Sequence, residues 1–89
     1  MTRRHKPIFP PWWSWPRTVS DHIERRMLDR GFTHLQLHAM LAHARHIRPS
    51  TTDGRFVVDC SLRGRQWRVV LEPQPELQQV VIVTAFSPD

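Results

Sequence analysis

The sequence predicts an α+β domain, two N-terminal helices packed on a three-stranded antiparallel sheet in the order α-α-β-β-β. Three observations predict it. Apolar residues recur with a helical period from Val19 to Ile47 and switch to strict alternation after Gly54. Two helix-start signatures fall inside the first region. In the second, the dipeptide Arg63-Gly64 separates two alternating runs, as a hairpin turn does.

Residues 1–17 form a basic arm rich in proline and tryptophan, and residues 18–89 form one domain. Pro7, Pro10, Pro11 and Pro16 exclude a helix interior from the arm, which is expected to be extended. Trp12, Trp13 and Trp15 are costly to leave in water, so they are expected to fold back on the domain. Beside Arg3, Arg4 and Lys6 they also suit stacking on nucleic-acid bases.

The first helix is expected to run from about 19 or 21 to 30, with Asp21 as N-cap, Glu24 three positions on and Gly31 as its stop. Val19, Ile23 and Met27 make its buried stripe, and His22, Arg26 and Arg30 form a second stripe with the same spacing beside it. The second helix opens with a capping box, Thr33 and Gln36, and a hydrophobic staple, Phe32 with Leu37. Leu37, Met40, Leu41, Ala44 and Ile47 then share one face, so this helix is expected to run close to His46, before Pro49 and the polar stretch Ser50 to Gly54.

Phe56, Val58, Cys60 and Leu62 alternate with polar residues, as do Trp67, Val69 and Leu71, giving two strands of which the second is expected to stop at Pro73 and Pro75. Gln79 to Phe86 is the third. Its run Val80, Val81, Ile82, Val83 is apolar on both faces and is expected at the sheet centre.

Composition sets the boundaries of function. With 89 residues, 39% of them hydrophobic, the chain has enough apolar mass for one thin core and too little length for a second domain. Its one cysteine, Cys60, cannot close an intramolecular disulfide, and no apolar run approaches the roughly 20 residues that cross a bilayer. The opening residues carry prolines and tryptophans where a secretory signal has its apolar region, so the cytoplasm is the expected location and a membrane is not an expected partner. Twelve of the 13 bases are Arg, whose planar fork matches phosphate, and the net charge of +5 favours an anionic partner. Four of those bases and no acid fall in the first 17 residues, so the excess is mostly a property of the arm.

The stretch Asp21-His22-Ile23-Glu24-Arg25-Arg26-Met27-Leu28-Asp29-Arg30-Gly31 resembles the bacterial domain of unknown function family numbered 4258. So do Gly54-Arg55-Phe56, Trp67-Arg68-Val69-Val70-Leu71-Glu72-Pro73 and Val83-Thr84-Ala85-Phe86, an overlap from about residue 20 to 86. That family looks like a relative of the RelE and BrnT toxins, in the wider group with barnase-like, colicin-like and contact-dependent toxin nucleases. The resemblance implies a small toxin-like ribonuclease of a toxin-antitoxin or polymorphic toxin system. It also implies that helices cover one face of the sheet while RNA lies across the other or along its rim, and that a cognate antitoxin or immunity protein is the protein partner.

Cleavage through the 2′-hydroxyl needs a base for that proton, an acid for the 5′-oxygen and cations for the phosphorane charge, roles that His and Arg can fill without a metal. His22 and Arg26, one helical turn apart, are the first candidates; the alternative is that they edge the core, with Arg26 pairing with Glu72 or Asp29. Glu72 is a candidate general base, as a carboxylate is in barnase-like enzymes, or else a strand-end carboxylate paired with Arg26 or Arg55. Thr84 completes the catalytic set or is a strand hydroxyl bonded to backbone. Arg30, Arg55, Arg63, Arg65 and Arg68 are the candidate RNA-binding cations.

No cofactor is expected. His34 and His38 have the i, i+4 spacing of a metal pair, but no third ligand is implied, and there is no Gly-rich phosphate loop. Cys60 alternates into the core face and reads as a small hydrophobe. The rival function is a non-catalytic RNA- or protein-binding module on the same fold.

Overall fold

The computed structural model describes residues 9–88. Its elements are β1 (Arg17–Val19), α1 (Asp21–Arg30), α2 (His34–Ala42), β2 (Ala44–Pro49), β3 (Phe56–Leu62), β4 (Arg65–Gln74) and β5 (Gln79–Phe86), preceded by a 3-10 turn at Pro11–Ser14. The sheet has five strands in the order β1-β5-β4-β3-β2. β1 runs parallel to β5, and the other three pairings are antiparallel.

This corrects the expected three-stranded antiparallel sheet and the order α-α-β-β-β; the broad α+β class stands. Both extra strands lie at the edges, where the sequence signal is thinnest. β1 is three residues long, sits directly after Pro16, and pairs with a strand about sixty positions away, so neither a hairpin turn nor an alternating run announces it. β2 was absorbed into the second helix because Ala44 and Ile47 continue that helix's spacing. The chain instead leaves the helix at His43, and Ile47 pairs with Val58 across the β2–β3 ladder.

Ser20, not Asp21, is the N-cap of α1: its Oγ accepts from Ile23 N–H at 3.2 Å. At the other end Gly31 takes the left-handed conformation (φ 70°) and its N–H reaches Met27 O at 2.9 Å. The capping box of α2 forms as expected, Thr33 and Gln36 each bonding the other's backbone N–H. Arg63 and Gly64, both at positive φ, make the two-residue turn between β3 and β4. Pro73 does not stop β4; it pairs with Val80, and the turn comes after Gln74.

The core lies on one face of the sheet. Ile23 and Met27 of α1 and Leu37, Met40 and Leu41 of α2 cover Val58, Cys60, Val69, Leu71, Val80 and Ile82, each fully buried branched or sulfur-bearing side chain contributing about 1.5–3 kcal/mol of transfer free energy. Trp12, Trp13 and Trp15 pack half-buried against this core, with Trp12 4.9 Å from Phe56, so the tryptophans fold back on the domain. Arg17 lies over Trp13 at 4.8 Å and donates to its carbonyl, and burial lowers the Arg17 pKa. Arg3, Arg4 and Lys6, which carry most of the arm's charge, lie outside the described residues.

One irregularity positions the opposite face. Val70 pairs with Thr84 but Leu71 pairs with Ile82, so Val83 is an extra residue in β5. The bulge restores alternation beyond it: Ala85 is buried like Ile82, while Thr84 and Phe86 share the outer face with Val70 and Arg68.

Candidate nucleic-acid interface

No described element covers the outer face of the sheet. Alternation fixes its members: Val57, Asp59 and Ser61 on β3, Gln66, Arg68, Val70 and Glu72 on β4, Val81, Thr84 and Phe86 on β5. Register adds His46, opposite Asp59, and Arg48, opposite Val57, from β2. None of these side chains is buried. Arginine forks stand over an apolar floor of valines, a surface that can meet both the phosphates and the bases of an extended nucleic acid.

Ion pairs hold the forks in place. Arg55 Nε donates to Glu72 Oε1 at 3.0 Å, and Asp59 takes Arg68 Nε on one oxygen at 3.3 Å and Arg48 Nη1 on the other. Each pair is about a third or more exposed, so its value is orientation rather than stability. A guanidinium bound through one or two N–H groups keeps the rest of its five donors for a ligand.

The candidate residues divide into two groups. Glu72, Arg55, Arg68 and Thr84 share the outer face. Glu72 is paired with Arg55, and the Thr84 hydroxyl has no hydrogen-bond partner among the described residues. His22 and Arg26 lie exposed on α1, the helix packed along β5, and neither makes a hydrogen bond or ion pair with another described side chain. Arg26 therefore pairs with neither Glu72 nor Asp29. Arg30 is anchored on the carbonyl of Ala85, at the far end of that helix.

Arg65 donates to Ser87 Oγ at 3.1 Å and lies 5.2 Å over the Trp67 ring, while Arg63 is exposed in the hairpin turn. His34 faces Glu24 at 3.9 Å, and no group of three or more His, Cys, Asp or Glu comes together among the described residues. Burial, reinforced by the charge of Asp59, pushes the Cys60 thiol up to about 12. A thiol so raised stays protonated and inert at neutral pH. No helix among the described residues is long and apolar enough to cross a membrane.

Sequence reasoning missed His46, Arg48, Arg45 and Asp59. The first three sit on β2, whose start falls within the expected second helix, where period 3.6 scatters them; at period 2, His46 and Arg48 share one face. Asp59 was visible as a polar residue of an alternating run, but its partners were not. Compared with protein families, curated proteins and solved structures, the chain matches none.

Proposed function

We propose that this chain is a small toxin-like ribonuclease that binds RNA across the outer sheet face and along the α1–β5 rim and cuts it without a metal. The observation that carries the reading is the bare face, where Arg48, Arg55 and Arg68 are held in orientation by Asp59 and Glu72 over a valine floor. Phosphate recognition needs oriented forks, and base stacking needs accessible apolar surface. The likeness of α1, β4 and β5 to the family numbered 4258 supplies the chemistry. His22 and Arg26, exposed one turn apart, serve as acid–base and charge-stabilising groups, and Glu72 and Thr84 complete the set from the outer face. The cytoplasm is the compartment, and an antitoxin or immunity protein bringing acidic residues to the bare face is the controlling partner.

The test is incubation of the purified chain with labelled RNA in EDTA, at low and moderate salt. Cleavage that survives EDTA and disappears in His22→Ala supports the enzyme. Absence of RNA binding at any salt overturns the whole reading.

One observation favours a second reading, a non-catalytic RNA- or protein-binding module. Glu72 is already occupied by Arg55, and no candidate acid and base are hydrogen-bonded to each other. Retained RNA binding without cleavage selects that reading.

A further inference from the structure

At one end of the bare face the sheet opens into a cavity of about 260 Å³ whose polar lining is Arg45, His46, Asp59, Gln66 and Arg68, with Pro88 at its edge. None of the first three was singled out by sequence, and no candidate catalytic residue lines it. Its construction is specific. Ala44 pairs with Cys60 and His46 with Asp59, so Arg45 is the extra residue of a bulge in β2, aimed independently of the strand's alternation. Beyond it, register lines up four outward side chains across four strands: His46 opposite Asp59, Asp59 opposite Arg68, and Arg68 opposite Phe86. At about 4.8 Å per strand the row spans roughly 14 Å.

The geometry points to a nucleotide-phosphate subsite: Arg45, His46 and Arg68 take one phosphate of single-stranded RNA in the cavity, and Phe86, next in the row, stacks its base. This assignment rests on the RNA reading above and deepens it.

Charge supports an anion in this position. Three cations, Arg45, Arg48 and Arg68, stand around one carboxylate, an excess of two before His46 is counted. Both oxygens of Asp59 are taken by Arg48 and Arg68, so the carboxylate acts as a brace between two forks whose charges offset its own. Arg45 is exposed and has no hydrogen bond or ion pair with another described residue, leaving its fork available. Gln66 supplies an amide that can donate to a phosphate oxygen or a 2′-hydroxyl. Phe86 is half-buried, so it offers a ring held by the sheet and not a free side chain that must be ordered on binding.

The experiment is an NMR titration of the full chain with two probes, a short single-stranded oligoribonucleotide and a ribonucleoside 3′-monophosphate, alongside Arg45→Ala, His46→Ala, Arg68→Gln and Phe86→Leu. Amide shifts clustering at residues 45, 46, 59, 68 and 86 are expected with both probes. Arg45 is exposed and Arg45→Ala removes no hydrogen bond or ion pair to a described side chain, so it should fold as the parent does and weaken oligonucleotide binding about tenfold. Its salt slope should fall by about 0.7, the loss of one single-strand phosphate contact. Phe86→Leu keeps an apolar filler and should cost about tenfold through lost stacking.

If the oligonucleotide binds with its shifts elsewhere and Arg45→Ala is silent, the subsite is wrong while the RNA reading survives. Should the monophosphate bind the row while RNA does not bind at all, the row is a mononucleotide site, and the RNA assignment of the subsite falls together with the RNA reading. Binding of neither probe overturns both.

Discussion

Ser20 donates its hydroxyl hydrogen to the carbonyl of Val83 at 2.8 Å while its oxygen caps the N–H of Ile23, so one side chain ties the start of α1 to the bulge of β5. The same residue's backbone N–H reaches Ile82 O at 3.0 Å. The bulge sets which side chains of β5 face outward, and α1 carries His22 and Arg26. Ser20 is therefore one of the links that set their relative placement.

Ser20→Ala should cost about 1–3 kcal/mol, the sum of a lost N-cap and an unpaired carbonyl, and lower the melting temperature by several degrees. Ser20→Asp keeps the cap but cannot donate to Val83, and should recover only part of the loss. Thermal denaturation of the three proteins checks this. Equal stability of Ser20→Ala and parent would show that the link is not used.

His22→Ala and Arg26→Ala should leave stability within about 0.5 kcal/mol, because both side chains are exposed and neither bonds a described neighbour. RNA cleavage should fall by about 10² to 10⁴ in each, and the double variant should lose far less than the product. Initial rates on labelled RNA, measured per folded molecule, read both effects.

Cys60 should resist alkylation in the folded protein at pH 8 and react at once in denaturant, since the thiol is buried and its pKa stands near 12. The folded value lies above the ordinary one of 9.0, so the unfolded chain ionises first as pH rises. Stability is thus unaffected below about pH 8.5 and falls through the window up to 12, at up to roughly 1.4 kcal/mol per pH unit. Urea unfolding at pH 8, 9.5 and 10.5 tests it, with Cys60→Ala as the variant whose slope should flatten.

Trp12→Ala should destabilise the domain by about 2 kcal/mol, through lost burial and the contact with Phe56 at 4.9 Å. A Trp12→Phe protein, which retains an aromatic ring against Phe56, should regain most of it. Unchanged melting in Trp12→Ala would mean that the turn at Pro11–Ser14 detaches freely in solution.

Most local signals in the sequence reported local structure faithfully, the exceptions being the cap expected at Asp21, which is Ser20, and the stop expected at Pro73, which β4 runs through. The Thr33 and Gln36 box, the Gly31 stop and the Arg63-Gly64 turn depend on neighbours a few positions away, and each forms. The failures that changed the topology were non-local. Ala44 and Ile47 fit a helix stripe as well as a strand, and only the partner Val58, eleven positions on, decides between them. Arg17–Val19 has no periodicity to read, and its pairing with Val80–Ile82 is created by the rest of the fold. The candidate site shows the same division. Glu72 and Arg68 were visible on an alternating strand, whereas the His46, Asp59 and Arg68 row exists only once β2 is placed beside β3.

The parallel pairing of β1 with β5 has a consequence for the order in which the molecule is made. Of the described strands β1 emerges before the others during synthesis and its partner after them; the Ser20 to Val83 bond joins positions 63 apart. Until β5 arrives, α1 lacks the strand it packs along, and the core that Ile23 and Met27 enter lacks Val80, Ile82 and Ala85. The antiparallel run from β2 to β4 can form as it is translated, because each of its strands follows its neighbour. Closure of the sheet is then a late, long-range event of the kind that slows folding. A chain truncated before Gln79 should hold the β2–β4 meander with α2 docked and α1 undocked, open to proteolysis between Ser20 and Gly31, and restoring the remaining strand should protect that segment.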